Sequence, residues 1–338
     1  MPNQFKNILI INVTRIGDTL LATPAVRAVA KAWPYARITV MGHPKRVEVM
    51  EHLPYVHSVE GITKKTAPWR DRFRRRRWDL AVVFGFDEAL VRYALRVADQ
   101  VVSWEQQDAD LNRRVTKAVP KPPNDSVSAV DMLNALPCQG LGIPDAGGAL
   151  DYAVTPDEAL QAKRTIAEYW PQKPTPLIGL MLESFPTKPY RDWPVESFQA
   201  LCKRILVDYP DAGFVLLGGN HSPEKLEAFR QQFDRRVAVL AGKLSLRQSA
   251  AIMSQLDLYI GCDTGPSHIA GALKNVPLIV LYHCLHRAWV LAPQGHKALS
   301  AIDHPDSDVK CSITSSMADI SVEDVYRQVV VRLGARDE

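Results

Sequence analysis

The stretch from Asp257 to Leu273, Asp-Leu-Tyr-Ile-Gly-Cys-Asp-Thr-Gly-Pro-Ser-His-Ile-Ala-Gly-Ala-Leu, gathers a carboxylate, hydroxyls and an imidazole at one point of the chain. It reads as a buried strand over 258–262, a tight turn, and a helix from about Pro266. Asp263, Thr264, Gly265, Ser267 and His268 stand in or beside that turn. Such a turn points backbone N–H groups and the positive end of a helix dipole at one spot. In an open α/β sheet the spot lies beyond the strand's carboxyl end, where ligands bind. The chemistry expected is capture of a phosphorylated ligand. His268 alone would read as a structural histidine. Sharing a helix entrance with Asp263 and Thr264 makes it a candidate ligand contact.

A matching strand–turn–helix opens the chain, at Val13-Thr-Arg-Ile-Gly-Asp-Thr-Leu. It lacks GxGxxG, so the standard dinucleotide fingerprint is absent and an oxidoreductase is disfavoured. Asp18 falls at the start of the helix. It is either a capping carboxylate or a general base, whose ionised form the helix dipole favours. A second polar loop, Glu183-Ser-Phe-Pro-Thr-Lys-Pro-Tyr-Arg-Asp-Trp-Pro, follows another expected strand. Thr187, Lys188 and Arg191 supply donors and positive charge suited to holding a leaving diphosphate; the alternative is an exposed polar loop. In Leu216-Leu-Gly-Gly-Asn-His-Ser-Pro-Glu, Gly218 and Gly219 permit close backbone approach. Glu224 there is either a ribose contact or an acid favoured by the helix dipole. His43, His283 and His286 lack comparable context and read as structural.

These loops need elements to carry them. Strands are expected at 7–13, 37–43, 57–62, 79–85 and 100–104, with helices over 18–33, from 86 to about 98, and over 127–142. A Pro-rich run at 170–176 marks the expected boundary between domains 1–170 and 171–338. A second series of strands follows at 177–182, 214–219, 237–242, 258–262 and 277–282, then a capped amphipathic helix from Ser321. Alternating strands and helices imply α/β domains with doubly wound parallel sheets. A cleft between two such domains is a preferred ligand site.

Composition agrees with a globular chain. Of 338 residues, 46% are hydrophobic and 23% charged, which argues against general disorder. No apolar run reaches the roughly 20 residues a membrane span needs, and the N-terminal residues show no secretory signal pattern. Five cysteines, an odd number with no CxxC pair, argue against a disulfide framework and a zinc site. The expected compartment is therefore reducing cytosol. The net charge of +4 is mild, but Lys64, Lys65, Arg70, Arg72 and Arg74 to Arg77 crowd one short stretch. They form either a solvated face or a surface for a phosphorylated acceptor or an anionic membrane leaflet. No nucleic-acid-binding signature accompanies them.

Three pieces coincide: RIGDTLLATP near the start, a basic loop before Trp193-Pro194, and DTGPSHIAGAL. In this order and spacing they resemble the lipopolysaccharide heptosyltransferase family of glycosyltransferases, over nearly the whole chain. The resemblance implies the GT-B fold, two Rossmann-like domains facing a cleft. It implies transfer of heptose from ADP-heptose to the anionic inner core of lipopolysaccharide, with inversion and without a metal or other cofactor. Asp18 would then be the base, and Asp263, Thr264, Gly265 and His268 would hold the donor. Thr187 and a cation before Trp-Pro would contact the diphosphate and sugar.

Two departures stand out. Many members carry Lys where this chain has Arg191, so Lys188 is expected to share the role. Gly85-Phe-Asp-Glu also differs from the family's polar acceptor loops. Other readings keep the fold but use another nucleotide sugar or a protein acceptor, or make the chain a non-catalytic nucleotide-sugar-binding protein. Lys64, Lys65 and Arg70 are the expected acceptor contacts. Arg74 to Arg77 are the expected contacts with the cytoplasmic leaflet of the inner membrane, where the enzyme would lie peripherally.

Overall fold

A computed structural model describes residues 5–72, 77–123, 126–184, 187–219, 223–308 and 311–334. The chain divides into two compact units, Met1–Ala153 with Pro293–Gly295, and Val154–Ala292 with His296–Glu338. The boundary therefore falls before the Pro-rich run rather than in it. The helix Pro156–Tyr169 was not expected. It joins the second unit, where Glu158 accepts from Arg247 at 2.5 and 2.7 Å.

In the first unit the strands are β1 (Asn7–Asn12), β2 (Arg37–Gly42), β3 (Ser58–Gly61), β4 (Trp78–Val83), β5 (Ala98–Trp104) and β6 (Lys117–Val119). They form one parallel sheet in the order β3-β2-β1-β4-β5-β6. In the second unit they are β7 (Leu177–Met181), β8 (Gly213–Leu217), β9 (Val237–Val239), β10 (Leu258–Cys262), β11 (Leu278–Tyr282) and β12 (Leu299–Asp303). Their order, β12-β11-β10-β7-β8-β9, is the same winding. The order reverses at β1/β4 and at β7/β10, and the crevice at such a switch point is where open α/β sheets bind ligands.

Helices on both faces explain why the central strands are apolar throughout rather than alternating. Ile8 to Ile11, Leu177, Ile178, Leu180, Leu258 and Ile260 are all fully buried. β6 and β12, which sequence patterning missed, are edge strands of mixed polarity, KAV and LSAID.

The two sheets share an anchoring device. Asp79 at the start of β4 accepts from the backbone N–H groups of Lys6 (2.6 Å) and Asn7 (2.8 Å). Just before β10, Asp257 accepts from Leu177 N–H at 2.7 Å and pairs with Lys173 at 3.2 Å. In each unit a carboxylate from the fourth strand thus ties down the amino end of the first.

Other expectations need correction. The helix expected over 18–33 is two, Ile16–Leu21 and Thr23–Ala32. Pro24 lacks the N–H that would continue the ladder, and the Thr23 hydroxyl donates to the Leu20 carbonyl instead, at 2.6 Å. Cys284 and Cys311 form a disulfide. An odd cysteine count did not preclude one pair, and Cys138, Cys202 and Cys262 stay free. Among the described residues no helix is long and apolar enough to cross a membrane.

If the anchors set strand register, Asp79→Ala and Asp257→Ala should each cost about 1–3 kcal/mol, since each leaves backbone donors unpaired. Urea denaturation checks this: midpoints within error of the wild type would show that the strands hold register without them.

Candidate functional site

In the second unit, the turn between β10 and the helix Gly265–Ala272 is buried at Asp263, Thr264, Ser267 and His268. It is held from below. The Ser267 hydroxyl donates to the Cys262 carbonyl at 2.5 Å and lies 3.1 Å from the Tyr259 hydroxyl. Ser267 is thereby bonded inside the fold, beneath the turn. Asp263 N–H donates to the Leu281 carbonyl at 3.0 Å, which ties the turn to β11.

The loop after β7 reaches the same place. Trp193 of the Trp-Pro pair is fully buried; its N–H donates to the Cys262 sulfur at 3.3 Å, and its indole N–H donates to the Ile320 carbonyl at 3.0 Å. The Ser184 N–H donates to the Asp192 carboxylate at 2.7 Å, which closes the loop across its neck. The short 3-10 turn Pro189–Arg191 then delivers Arg191 onto the Asp263 carboxylate. Both partners are almost wholly buried, at 9% and 5% side-chain exposure, so neither charge is left to water. His268 Nε2 is 3.3 Å from the other Asp263 oxygen. Burial pushes the Asp263 pKa up, but the His268 hydrogen bond and the charges of His268, Arg191 and His286 outweigh it and hold the group below the usual carboxylate range.

Three buried polar atoms around this carboxylate lack a hydrogen-bond partner among the described residues: Arg191 Nε, His268 Nδ1 and the Tyr282 hydroxyl. Tyr282 lies near enough to feel the charges of Asp263 and Arg191. Buried polar groups are nearly always satisfied, so a polar ligand at this carboxylate would meet groups able to bond to it.

Two residues that read as structural in the sequence belong here. His283 and His286 follow β11, and Tyr190 from the β7 loop meets both. Its ring stands edge-on to His283 with centroids 5.0 Å apart, and its hydroxyl is 3.1 Å from His286 Nε2. Burial, then the Arg191 charge, lowers the His286 pKa to about 4. The available signal was position: His283 begins the loop at the carboxyl end of β11, as Asp263 does after β10.

Thr187 is exposed; Lys188 is half-buried, and its charge acts on His286. Glu224 sits apart, exposed in the first turn of the helix Pro223–Phe233 beyond β8. Gly218 at the end of β8 has φ 117°, and a Cβ there would lie 2.8 Å from the Met181 thioether. Only glycine fits that exit.

In the first unit, Asp18 is the third residue of the helix Ile16–Leu21 and is exposed. It has no partner among the described residues of that unit. Lys64 and Lys65 are exposed in the turn after β3. Arg70 differs from expectation: it pairs with Glu60 and donates to the Gly61 carbonyl at 2.7 Å, so its charge is used within the loop. Arg77 pairs with Glu60 at 3.2 Å, and Arg72 lies over the Trp69 ring at 5.1 Å. Arg74, Arg75 and Arg76 lie outside the described residues.

His283, Cys284 and Cys311 group atoms that suit a metal, as do His304, Asp306 and Asp319. In the first group the cysteines are bonded to each other, and His283 contacts the Ser315 carbonyl and the Leu285 N–H at 3.1 and 3.2 Å. In the second, His304 contacts the Ser316 carbonyl and the Asp306 N–H at 2.9 and 3.0 Å.

Two doubly wound sheets, one with a carboxylate and cations gathered at its switch point, define a Rossmann-type ligand-binding α/β protein. Residues 85–298 match the family model of glycosyltransferase family 9 (heptosyltransferase), and the chain belongs to that family of enzymes. It is 22% identical over 299 residues to lipopolysaccharide heptosyltransferase 3 of Escherichia coli, across 81% of this chain and 83% of that protein. It is 26% identical over 298 residues to lipooligosaccharide heptosyltransferase 2 of Haemophilus ducreyi, across 81% and 82%. Among solved structures, a family 9 glycosyltransferase from Veillonella parvula superimposes with a TM-score of 0.83 at 21% identity, over 99% of each chain. The E. coli ADP-heptose lipopolysaccharide heptosyltransferase II gives 0.76 at 20% identity, over 98% of this chain and 100% of that one. The two doubly wound parallel-sheet domains that the resemblance implies are observed, in the fold of these structures.

The low His286 pKa has a consequence for stability. Unfolded, the imidazole takes a proton near pH 6.5; folded, it does so only near 4. The wild type should therefore lose stability relative to His286→Asn as pH falls from about 6.5 to about 4, with a constant difference above pH 7. Thermal midpoints of the two proteins across this range check it; parallel curves throughout would contradict it.

Proposed function

We propose that the protein is an inverting, metal-independent transferase that moves heptose from ADP-heptose to the inner core of lipopolysaccharide. The observation that carries the donor assignment is the buried Arg191–Asp263–His268 cluster with its unpartnered polar atoms. A nucleotide diphosphate would present oxygens to Lys188, Thr187 and the helix entrance at Thr264 and Gly265, and Glu224, in the first turn of the helix after β8, is the candidate contact for the ribose hydroxyls. Arg191 anchors Asp263 and keeps positive charge beside the site, so Lys188 is the better candidate for direct phosphate contact. Ser267 keeps the turn in shape.

In this reading Asp18 takes the proton of an acceptor hydroxyl. The hydroxyl oxygen forms a bond to the anomeric carbon as the bond from that carbon to the ADP phosphate oxygen breaks. The electron pair leaves with the diphosphate, and attack from the face opposite the leaving group inverts the centre. Lys188 and the helix dipole stabilise the developing charge, the task a divalent metal would otherwise perform. The names of relatives support the substrates: one solved structure is an E. coli heptosyltransferase with ADP, and another is an ADP-heptose lipopolysaccharide heptosyltransferase. Lys64 and Lys65 are the acceptor's cation contacts, with Arg70 holding their loop. The basic stretch also brings the enzyme to the anionic cytoplasmic leaflet, with no nucleic acid as partner.

Asp18→Asn should lower turnover on the order of 10²–10⁴-fold while ADP affinity stays near that of wild type. Steady-state kinetics with ADP-heptose and delipidated core acceptor, alongside ADP calorimetry, measures both. Turnover close to wild type would remove Asp18 from the chemistry. Activity should also survive excess EDTA; complete loss, restored by Mg²⁺ or Mn²⁺, would contradict metal independence.

Replacing Lys64 and Lys65 by Gln should raise the acceptor KM several-fold and leave the donor KM unchanged, because the proposed donor residues belong to the other unit. An unchanged acceptor KM would return these lysines to a solvated surface.

A further inference from the structure

We propose that Tyr190 and His286 form the subsite for the glycosyl group of the donor, an inference that rests on the donor site proposed above. The strand order sets the layout. Glu224 follows β8, the Arg191 loop follows β7, the Asp263 turn follows β10, and His286 follows β11, in that spatial sequence. Neighbouring strands lie about 4.8 Å apart, so β8 and β11 are separated by roughly 14 Å. A nucleotide sugar is a linear molecule with its diphosphate in the middle. With the ribose at Glu224 and the diphosphate over β7 and β10, the sugar extends towards the β11 loop.

The groups waiting there suit hydroxyls better than phosphate. A phenol and an imidazole, both half-buried, are joined at 3.1 Å and stacked with centroids 6.2 Å apart. The imidazole is neutral above pH 5, because burial and the Arg191 charge oppose its protonation. A neutral pair can donate and accept, as a polyol requires. It is also held in place. Tyr190 rests edge-on against His283, itself fully buried and fixed by contacts to the Ser315 carbonyl and the Leu285 N–H. The adjacent Cys284–Cys311 bond ties the same loop to the segment that carries Ser315.

The test compares ADP with ADP-heptose on the full chain by calorimetry, without acceptor, for wild type, Tyr190→Phe and His286→Asn. Wild type should bind ADP-heptose more tightly than ADP. Each variant should bind ADP within about twofold of wild type and lose roughly 3–10-fold of the preference for the sugar nucleotide, the size of one neutral hydrogen bond. Tyr190→Phe removes a single oxygen and keeps the ring packing, so it preserves the test if His286→Asn folds poorly. Variants that keep the full preference overturn the subsite. Variants that weaken ADP and ADP-heptose equally overturn it too, because the pair would then only support the loop. A wild type that binds both equally leaves no sugar subsite of this kind. A wild type that does not bind ADP at all removes the donor-site reading, and this inference with it.

Discussion

The arrangement in the second unit depends on one buried ion pair, Arg191 with Asp263. Desolvating a guanidinium and a carboxylate is costly, and mutual attraction offsets the cost only when the geometry is good and further hydrogen bonds remain. Here the second carboxylate oxygen faces His268, and the backbone of Asp263 is tied to β11. The pair therefore fastens the loop after β7 to the turn after β10, and with it the Tyr190 ring that leans on His283 and His286. Loss of Arg191 would leave a buried carboxylate with reduced compensation, and the β7 loop would lose its tether. Trp193 works to the same end from the apolar side, packed on Phe198 and bonded to Cys262.

Much of the fold is readable from local pattern. β1, β4, β7, β8, β10 and β11 are each centred on an apolar run of strand length, as parallel strands covered on both faces must be. β6 and β12 escaped because an edge strand is under weaker demand for apolar side chains. The helix Pro156–Tyr169 escaped for a related reason: only Ala162 and Ile166 among its residues are buried, so its apolar stripe is thin. The break at Ala22 was written in Pro24, which the helical spacing around it concealed.

The site was legible where chemistry and spacing fell within one loop, as in Asp263-Thr-Gly-Pro-Ser-His268. It was illegible where side chains from distant loops meet. Nothing near His286 in the sequence shows that Tyr190, 96 positions earlier, bonds to it. Charge was also misread where its partner was remote from the apparent cluster: Arg70 and Arg77 both turn back to Glu60, so part of a basic surface is internal pairing. The cysteine count failed for a different reason, since parity carries no information about which residues are neighbours.

Asp79 and Asp257 carry a consequence beyond the strands they hold. Both act at the amino edge of their sheet, the side away from the carboxyl-end loops where Asp18 and Asp263 stand. Register is thus enforced from one rim while recognition is displayed on the other. Loops such as His283–Arg287 can change length or composition without loosening the frame beneath them. Such a division makes the scaffold tolerant of drift in what it binds, and it gives both halves of the chain the same latitude through the same carboxylate.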